Sequence, residues 1–262
     1  MTQRATTSEP GWFDVRLASS DTDLKAAQRL RYRVFVDELG GNGAMVDHEN
    51  RLEQDEFDPV VDHLLLIDNR RDAGQLDHVV GAYRLLTDDR AADFGRFYCD
   101  SEYDLTKLRA SGRKLLELGR SCVDPDYRGG TGMFLMWNGL AEYVLDRGIE
   151  VLFGVASFHG LDAQALAQPL SLLHNNYLAP EALRPVALPD GFQAMDLIAP
   201  DDLDRRAALL AMPALIKAYL RLGGVVGQGA YLDRAFNTTD VLLLMDTAAM
   251  SDRHRRFYQG RG

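Results

Sequence analysis

The sequence predicts a mixed α/β (α+β) domain built on one central sheet, and three observations carry that expectation. The 262 residues are 46% hydrophobic and 26% charged, the balance of a folded chain with a sizeable core. Short apolar runs at residues 63–68 and 79–86 flank a polar turn region at 69–77, as antiparallel neighbours do. An apolar run at 115–123, a turn, a helical pattern over 131–147 and another run at 151–156 follow in the order strand, helix, strand. That order implies a right-handed crossover between parallel strands. The expected sheet is antiparallel at first and parallel after Val123, flanked by helices.

Residues 1–11 read as a polar tail ending in Pro10 and Gly11, residues 12–250 as a single domain with a core over about 12–160 and a C-terminal part over about 161–250, and residues 251–262 as a second polar tail. Residues 12–17 alternate well enough for a first strand. Ser19, Ser20 and Asp21 are helix-start residues, Leu24, Ala27, Leu30, Val34 and Phe35 recur at helical spacing, and Gly40 with Gly41 stops the helix. Residues 42–62 are acidic and lack a period, which marks a long loop. Further helices are expected near 163–174 and over 205–222, and further strands at 229–232 and 241–245.

The formal charge of -10, from 29 Lys plus Arg against 39 Asp plus Glu, excludes nucleic acid as a partner except through a local basic patch. Two cysteines make no disulfide framework and lack zinc spacing, which suits a reducing cytoplasm; the six histidines show no metal-binding spacing, so no metal is implied. No apolar run is long enough for a membrane span, and the polar N-terminus has no apolar signal region. Peripheral contact with a membrane is left open. Residues 205–222 are apolar on much of the helix surface with Lys217 and Arg221 near one end, a pattern shared by interfacial and buried helices.

The run 115–123 is the most informative because it sets Glu117 and Arg120 among apolar residues of a central strand. Strict alternation would put them on opposite faces. Gly119 between them marks a bulge, which returns both side chains to one face and frees a backbone N–H. A carboxylate can then take a proton from an amine, and a free N–H can stabilise the oxyanion of a tetrahedral intermediate. A structural ion pair is the competing reading. After the strand, Arg128 and Gly129, Gly130 and Gly132 open a helix, where exposed N–H groups suit a phosphate or serve only as a flexible turn. In the acidic loop, Asp55 and Asp58 are candidates for binding a cationic small molecule; such a run is also ordinary solvated surface.

Several segments together resemble a known family: Leu30-Arg31-Tyr32-Arg33-Val34-Phe35-Val36, Val79-Val80-Gly81-Ala82-Tyr83-Arg84-Leu85-Leu86, Glu117-Leu118-Gly119-Arg120-Ser121-Cys122-Val123, Gly154-Val155-Ala156-Ser157-Phe158, Leu215-Ile216-Lys217-Ala218-Tyr219-Leu220-Arg221-Leu222-Gly223 and Phe236-Asn237-Thr238-Thr239-Asp240. They look like the motifs of the L-ornithine N-alpha-acyltransferases, over about residues 12–246. The resemblance implies a fold of the GCN5-related N-acetyltransferase type with a C-terminal extension. The same skeleton is similar to the acyl-homoserine lactone synthases, on whose characteristic positions Arg31, Phe35, Asp55, Asp58, Arg84, Glu117 and Arg120 fall.

The family implies transfer of a 3-hydroxyacyl group from an acyl carrier protein thioester to the α-amino group of L-ornithine, giving lyso-ornithine lipid. No cofactor would be bound permanently; the phosphopantetheine thioester of the carrier would act as co-substrate. Glu117 would take the amine proton, Arg120 would position Glu117 or bind a carboxylate, Asp55 and Asp58 would hold the ornithine cation, and a freed amide near Ser121, Cys122 and Val123 would polarise the thioester carbonyl. The glycine turn at Arg128 and Gly130 departs from the longer pyrophosphate turn usual in the superfamily, which suits a donor presented on a carrier. Lys107, Arg109, Arg113 and Lys114 form a basic island, extended by Arg128, that would dock the acidic carrier. Met133, Phe134, Met136 and Trp137 would line an acyl slot or, more simply, belong to the helix core.

Overall fold

The computed structural model describes residues 11–128 and 131–248. The two expected tails fall outside these residues except for Gly11, and so does Gly130.

The chain begins with strand β1 (Phe13–Leu17) and helix α1 (Asp21–Arg31), which Ser20 caps by accepting a hydrogen bond from the Asp23 N–H. The helix does not stop at Arg31. It widens into a π-helical turn over Tyr32–Glu38 and closes where the Leu39 N–H reaches the Val34 carbonyl. The acidic loop then leads to β2 (Asp62–Asp68) and β3 (Val79–Thr87), both buried along almost their whole length. Helix α2 (Asp88–Phe94), the short β4 (Tyr103–Asp104) and α3 (Thr106–Ala110) cover one end of the sheet before β5 (Leu115–Val123) crosses its centre.

The predicted crossover is present as α4 (Thr131–Arg147) followed by β6 (Val151–His159). Beyond it come α5 (Ala167–Tyr177), β7 (Val186–Ala187), β8 (Phe192–Gln193), α6 (Arg205–Ala211), α7 (Ala214–Arg221), β9 (Val225–Val226), β10 (Ala230–Asp233) and β11 (Thr238–Asp246). The single helix expected over 205–222 is two, because Pro213 lacks the N–H an unbroken helix needs and starts α7 instead. Among the described residues, nine strands make one sheet in the order β1-β2-β3-β5-β6-β11-β10-β8, with β9 on β11. The expectation of parallel pairing after Val123 holds only for β5 with β6; β6 with β11 and β11 with β10 are antiparallel.

Apolar side chains fill both faces. Helix α1 covers one end through Ala26, Ala27 and Leu30 against Leu65, Val79 and Cys122. Met136, Leu140 and Tyr143 of α4 pack on the same cluster as Leu64, Leu85 and Leu116. Met136 is thus core, as the simpler reading had it, and Trp137 packs near Tyr219, with ring centroids 6.0 Å apart.

Candidate active site

The centre of the sheet contains a wedge. β5 pairs with β6 only from Leu115 opposite Val151 to Glu117 opposite Phe153. Beyond that point β5 stays with β3 as far as Val123, while β6 stays with β11 as far as His159. Each strand is held on its outer edge while the inner edges part. Gly154 sits at the fork, where a Cβ would lie 2.2 Å from the Leu118 carbonyl oxygen, so no larger residue fits the closed end without spreading it.

The expected bulge is present, displaced along β5. Ala82 faces Cys122 and Arg84 faces Gly119, so Tyr83 alone opposes both Arg120 and Ser121. Arg120, rather than Gly119, takes the left-handed conformation, with φ 46°. Glu117, Arg120 and Ser121 consequently share one cavity of about 270 Å³, together with Phe35 and Arg84. A smaller, apolar cavity adjoins it through the same stretch of β5 and is lined by Tyr83, Leu215 and Tyr219.

Glu117 and Arg120 share the cavity without an ion pair between them. Glu117 is buried, and its two oxygens accept hydrogen bonds from the backbone N–H of Tyr98 at 2.8 Å and Cys99 at 2.7 Å. Burial pushes its carboxyl above the ordinary range, against the pull of these donors. Arg120 instead donates to Glu53 at 2.9 Å and lies 4.9 Å from the Tyr98 ring centroid. Burial works against its charge, but Tyr98, Glu53 and Asp55 hold it protonated.

Arg31, Arg84 and Arg120 meet Glu53, Asp55 and Asp58 in a charge-balanced cluster beneath the cavity. Arg31 is fully buried and pairs with Glu53 at 2.5 Å and Asp58 at 2.7 Å. Gln28 and Arg84 complete the shell of Asp58, and although burial would raise its carboxyl, the Arg31 guanidinium overrides this and holds it well below the ordinary range. Asp58 is enclosed and fully partnered, so it has no edge for a substrate cation. Asp55 accepts from Arg84 at 2.5 Å and from Arg120 at 3.4 Å. The loop expected to hold ornithine is neutralised by the protein's own arginines.

The other expected residues disperse. Cys122 and Val123 are buried outside both cavities, and Cys122 packs under α1. The basic island is largely paired: Arg109 with Asp100, Arg113 with Asp246 at 2.6 Å, and Lys107 with Glu181 at 3.7 Å, while Lys114 Nζ donates to the Arg147 carbonyl. It precedes β5 and therefore stands at the closed end of the wedge, roughly 26 Å along the strand from Val123 at 3.3 Å per residue. Arg128, at the open end, is paired with Glu38 at 2.5 Å.

Tyr98, Asp233, Phe236 and Asp240 also line the main cavity and were outside the expected set. The last three come from β10, β11 and the turn between them; Phe236 and Asp240 belong to the segment whose resemblance to the family had carried no individual roles, and Asp233 precedes it.

Residues 30–138 match the model of the acetyltransferase (GNAT) domain. Two solved structures share the fold at low identity: a CoA-dependent acyl-homoserine lactone synthase, with TM-score 0.52, 16% identity and coverage of 95% of this chain and 88% of that one, and an N-acyl amino acid synthase from uncultured soil microbes, with TM-score 0.52, 13% identity and coverage of 91% and 93%. The L-ornithine N(alpha)-acyltransferase of Rhodobacter capsulatus is 66% identical over 254 residues, covering 95% of this chain and 97% of that protein. Its counterpart in Brucella abortus is 41% identical over 250 residues, covering 95% and 89%. The cavity at the fork of β5 and β6 is thus the candidate active site of an acyltransferase, and the chain belongs to the L-ornithine N(alpha)-acyltransferase family.

Proposed function

We propose that the protein transfers a 3-hydroxyacyl group from an acyl carrier protein thioester to the α-amino group of L-ornithine, giving lyso-ornithine lipid. The observation that carries this reading is a single cavity that receives both the wedge between two parted strands and the carboxylate of Glu117. A phosphopantetheine arm is an extended chain with two amides, and the inner edges of β5 and β6 present backbone donors and acceptors of matching kind. The arm arrives with the carrier protein, so no resident cofactor is needed.

The α-amine attacks the thioester carbonyl; the new C–N bond forms, the C–S bond breaks, and the carrier leaves as a thiolate that takes up the proton removed from the amine. Glu117 takes the amine proton directly or through a water, aided by the burial that raises its carboxyl. The N–H left out of the ladder at the Arg120–Ser121 bulge polarises the carbonyl. Arg120 holds Glu53 and Asp55 and forms part of the wall. The acyl chain takes the apolar cavity beside Tyr83 and Leu215.

Among the described residues no helix is long and apolar enough to cross a membrane. We place the enzyme in the cytoplasm, with the amphipathic product passing to the inner membrane surface. The test is incubation with 3-hydroxyacyl carrier protein and either ornithine or S-adenosylmethionine, with products identified by mass spectrometry. The expected product is N-acylornithine alone; a homoserine lactone, or no transfer to ornithine, overturns the reading.

A further inference from the structure

Glu102, Asp233 and Asp240 gather beside the cavity, with one carboxylate oxygen from each lying within 4.8 Å of the others; the charge of Arg120 acts on Glu102 and Asp240, but Arg120 pairs with Glu53 and Asp55 instead. Glu102 precedes β4, while Asp233 ends β10 and Asp240 lies on β11 of the same hairpin, so two segments distant in sequence converge to build the group. Among the described residues, none of the three forms an ion pair with an arginine, lysine or histidine; Glu53, Asp55 and Asp58 each have a guanidinium partner. Glu102 and Asp240 are 4% and 3% exposed, and Glu102 Oε2 and Asp240 Oδ1 are enclosed without a hydrogen-bond partner. Asp233 Oδ1 accepts from the N–H groups of Ala235 and Phe236, which fixes its position. Asp233 and Asp240 form part of the wall of the cavity that contains Glu117 and Ser121.

Burying carboxylates so close together without a cation is expensive, and proteins keep such an arrangement where a charged guest completes it. Asp233 and Asp240 line the cavity that must admit an amine, and Glu102 stands behind them within reach of both. Burial, then the neighbouring carboxylates, raises the Glu102 and Asp240 carboxyls, the response of acids that wait for a positive partner.

We propose that Glu102, Asp233 and Asp240 form the subsite for the side-chain ammonium of the acceptor amino acid. It rests on the acyl-transfer reading for its ligand: ornithine carries its second amine three methylenes from the α-carbon, so the α-amine can face the wedge while the side-chain ammonium sits among the three carboxylates. The subsite makes the enzyme select a cationic acceptor over a neutral one of the same length. A divalent ion is the competing guest, since three carboxylates also suit calcium or magnesium.

The test separates the subsite from the transfer reaction. Calorimetry on the full-length protein without acyl donor compares ornithine with norvaline, which has the same carbon chain and no side-chain amine, and with magnesium or calcium alone. Ornithine is expected to bind at least about tenfold more tightly than norvaline, and the isosteric variants Asp233→Asn and Asp240→Asn to erase that preference while keeping the wild-type circular dichroism spectrum. Equal binding of ornithine and norvaline by the wild type, which requires no variant, overturns the subsite, as does tight divalent-ion binding that the same variants abolish. If ornithine is preferred in binding but never acylated, the subsite stands and the transfer reading falls. If norvaline is acylated as well as ornithine, the transfer reading stands and the subsite falls.

Discussion

At the scale of single residues, Glu117 has two tasks, and one substitution disturbs both with separate readouts. Its oxygens hold the N–H groups of Tyr98 and Cys99, and its carboxylate is the proposed proton acceptor. In Glu117→Gln the amide NH2 must face one of those N–H groups, so a donor meets a donor. Turnover is expected to fall about 100-fold or more, with a stability loss of about 1–3 kcal/mol from the mispaired donor. Steady-state kinetics and urea unfolding on the same preparation check both, and an unaltered rate would remove Glu117 from the mechanism. Arg31→Met tests the buried cluster. It would leave Glu53 and Asp58 short of their shared cation, and a loss of about 3–5 kcal/mol is expected in urea unfolding.

The two acidic clusters also give opposite pH responses. Asp58 is held low by Arg31 despite its burial, so its stabilising contribution is present above the ordinary carboxylate range and is lost on strong acidification. Asp240 is pushed up to about 6 by burial and by Asp233, against the hydroxyls of Ser157 and Thr238 and the charge of Arg120. The folded chain therefore keeps a proton that the unfolded chain releases, and stability is lost as pH rises from the ordinary carboxylate range through about 6. The stability of Asp240→Asn relative to wild type should accordingly grow between about pH 4 and pH 7. A difference that stays flat across this range in thermal unfolding would contradict the raised carboxyl.

At the scale of elements, β2 and β3 were legible because each is a largely apolar run bounded by turn residues, and β1 because its residues alternate. The bulge on β5 was legible in kind and misplaced by a residue, since glycine is the usual marker of an irregular strand and here Arg120 takes the left-handed position. The break between α6 and α7 was written in Pro213, but the apolar period continues across it and hides the interruption. Short strands such as β7 and β8 carry too few residues for a period to show. The fork of β5 and β6 depends on Gly154, and Gly154→Ala is expected to spread or strain the closed end, at a cost of about 1–3 kcal/mol. Unchanged thermal stability together with unchanged turnover would show that the fork tolerates the methyl group.

At the scale of the whole molecule, the net charge of -10 conceals a division of labour that only three dimensions reveal. The basic residues consecutive in sequence, from Lys107 to Lys114, stand at the closed end of the wedge and are largely paired with acids from other elements. The open end collects arginines from separate segments, also paired with acids: Arg33 and Arg71 with Asp77 and Asp124, and Arg128 with Glu38. If the donor is the proposed acyl carrier, its docking is expected at the open end because the wedge is entered there, not because the arginines there are free of acids. Charge reversal at Arg33, Arg71 and Arg128 should raise the Michaelis constant for the carrier, with a salt dependence that reversal at Lys107 and Lys114 lacks. The opposite pattern would restore the basic island as the docking surface. The acidic loop shows the same limit of sequence reading: its carboxylates were visible, while their arginine partners come from residues 31, 84 and 120, which only the fold brings together.

The fork has one more consequence, and it is mechanical. Neighbouring strands lie about 4.8 Å apart, so a third extended chain fits between two others only where their separation has roughly doubled. β5 and β6 are unpaired beyond Glu117 and Phe153 and hydrogen-bonded up to that point, so the gap closes there. A chain threading inward from the wide end must halt where the room runs out, whatever its length behind. For the proposed donor arm the sheet itself would serve as a depth stop, setting the tip of the incoming chain near Glu117 at every turnover.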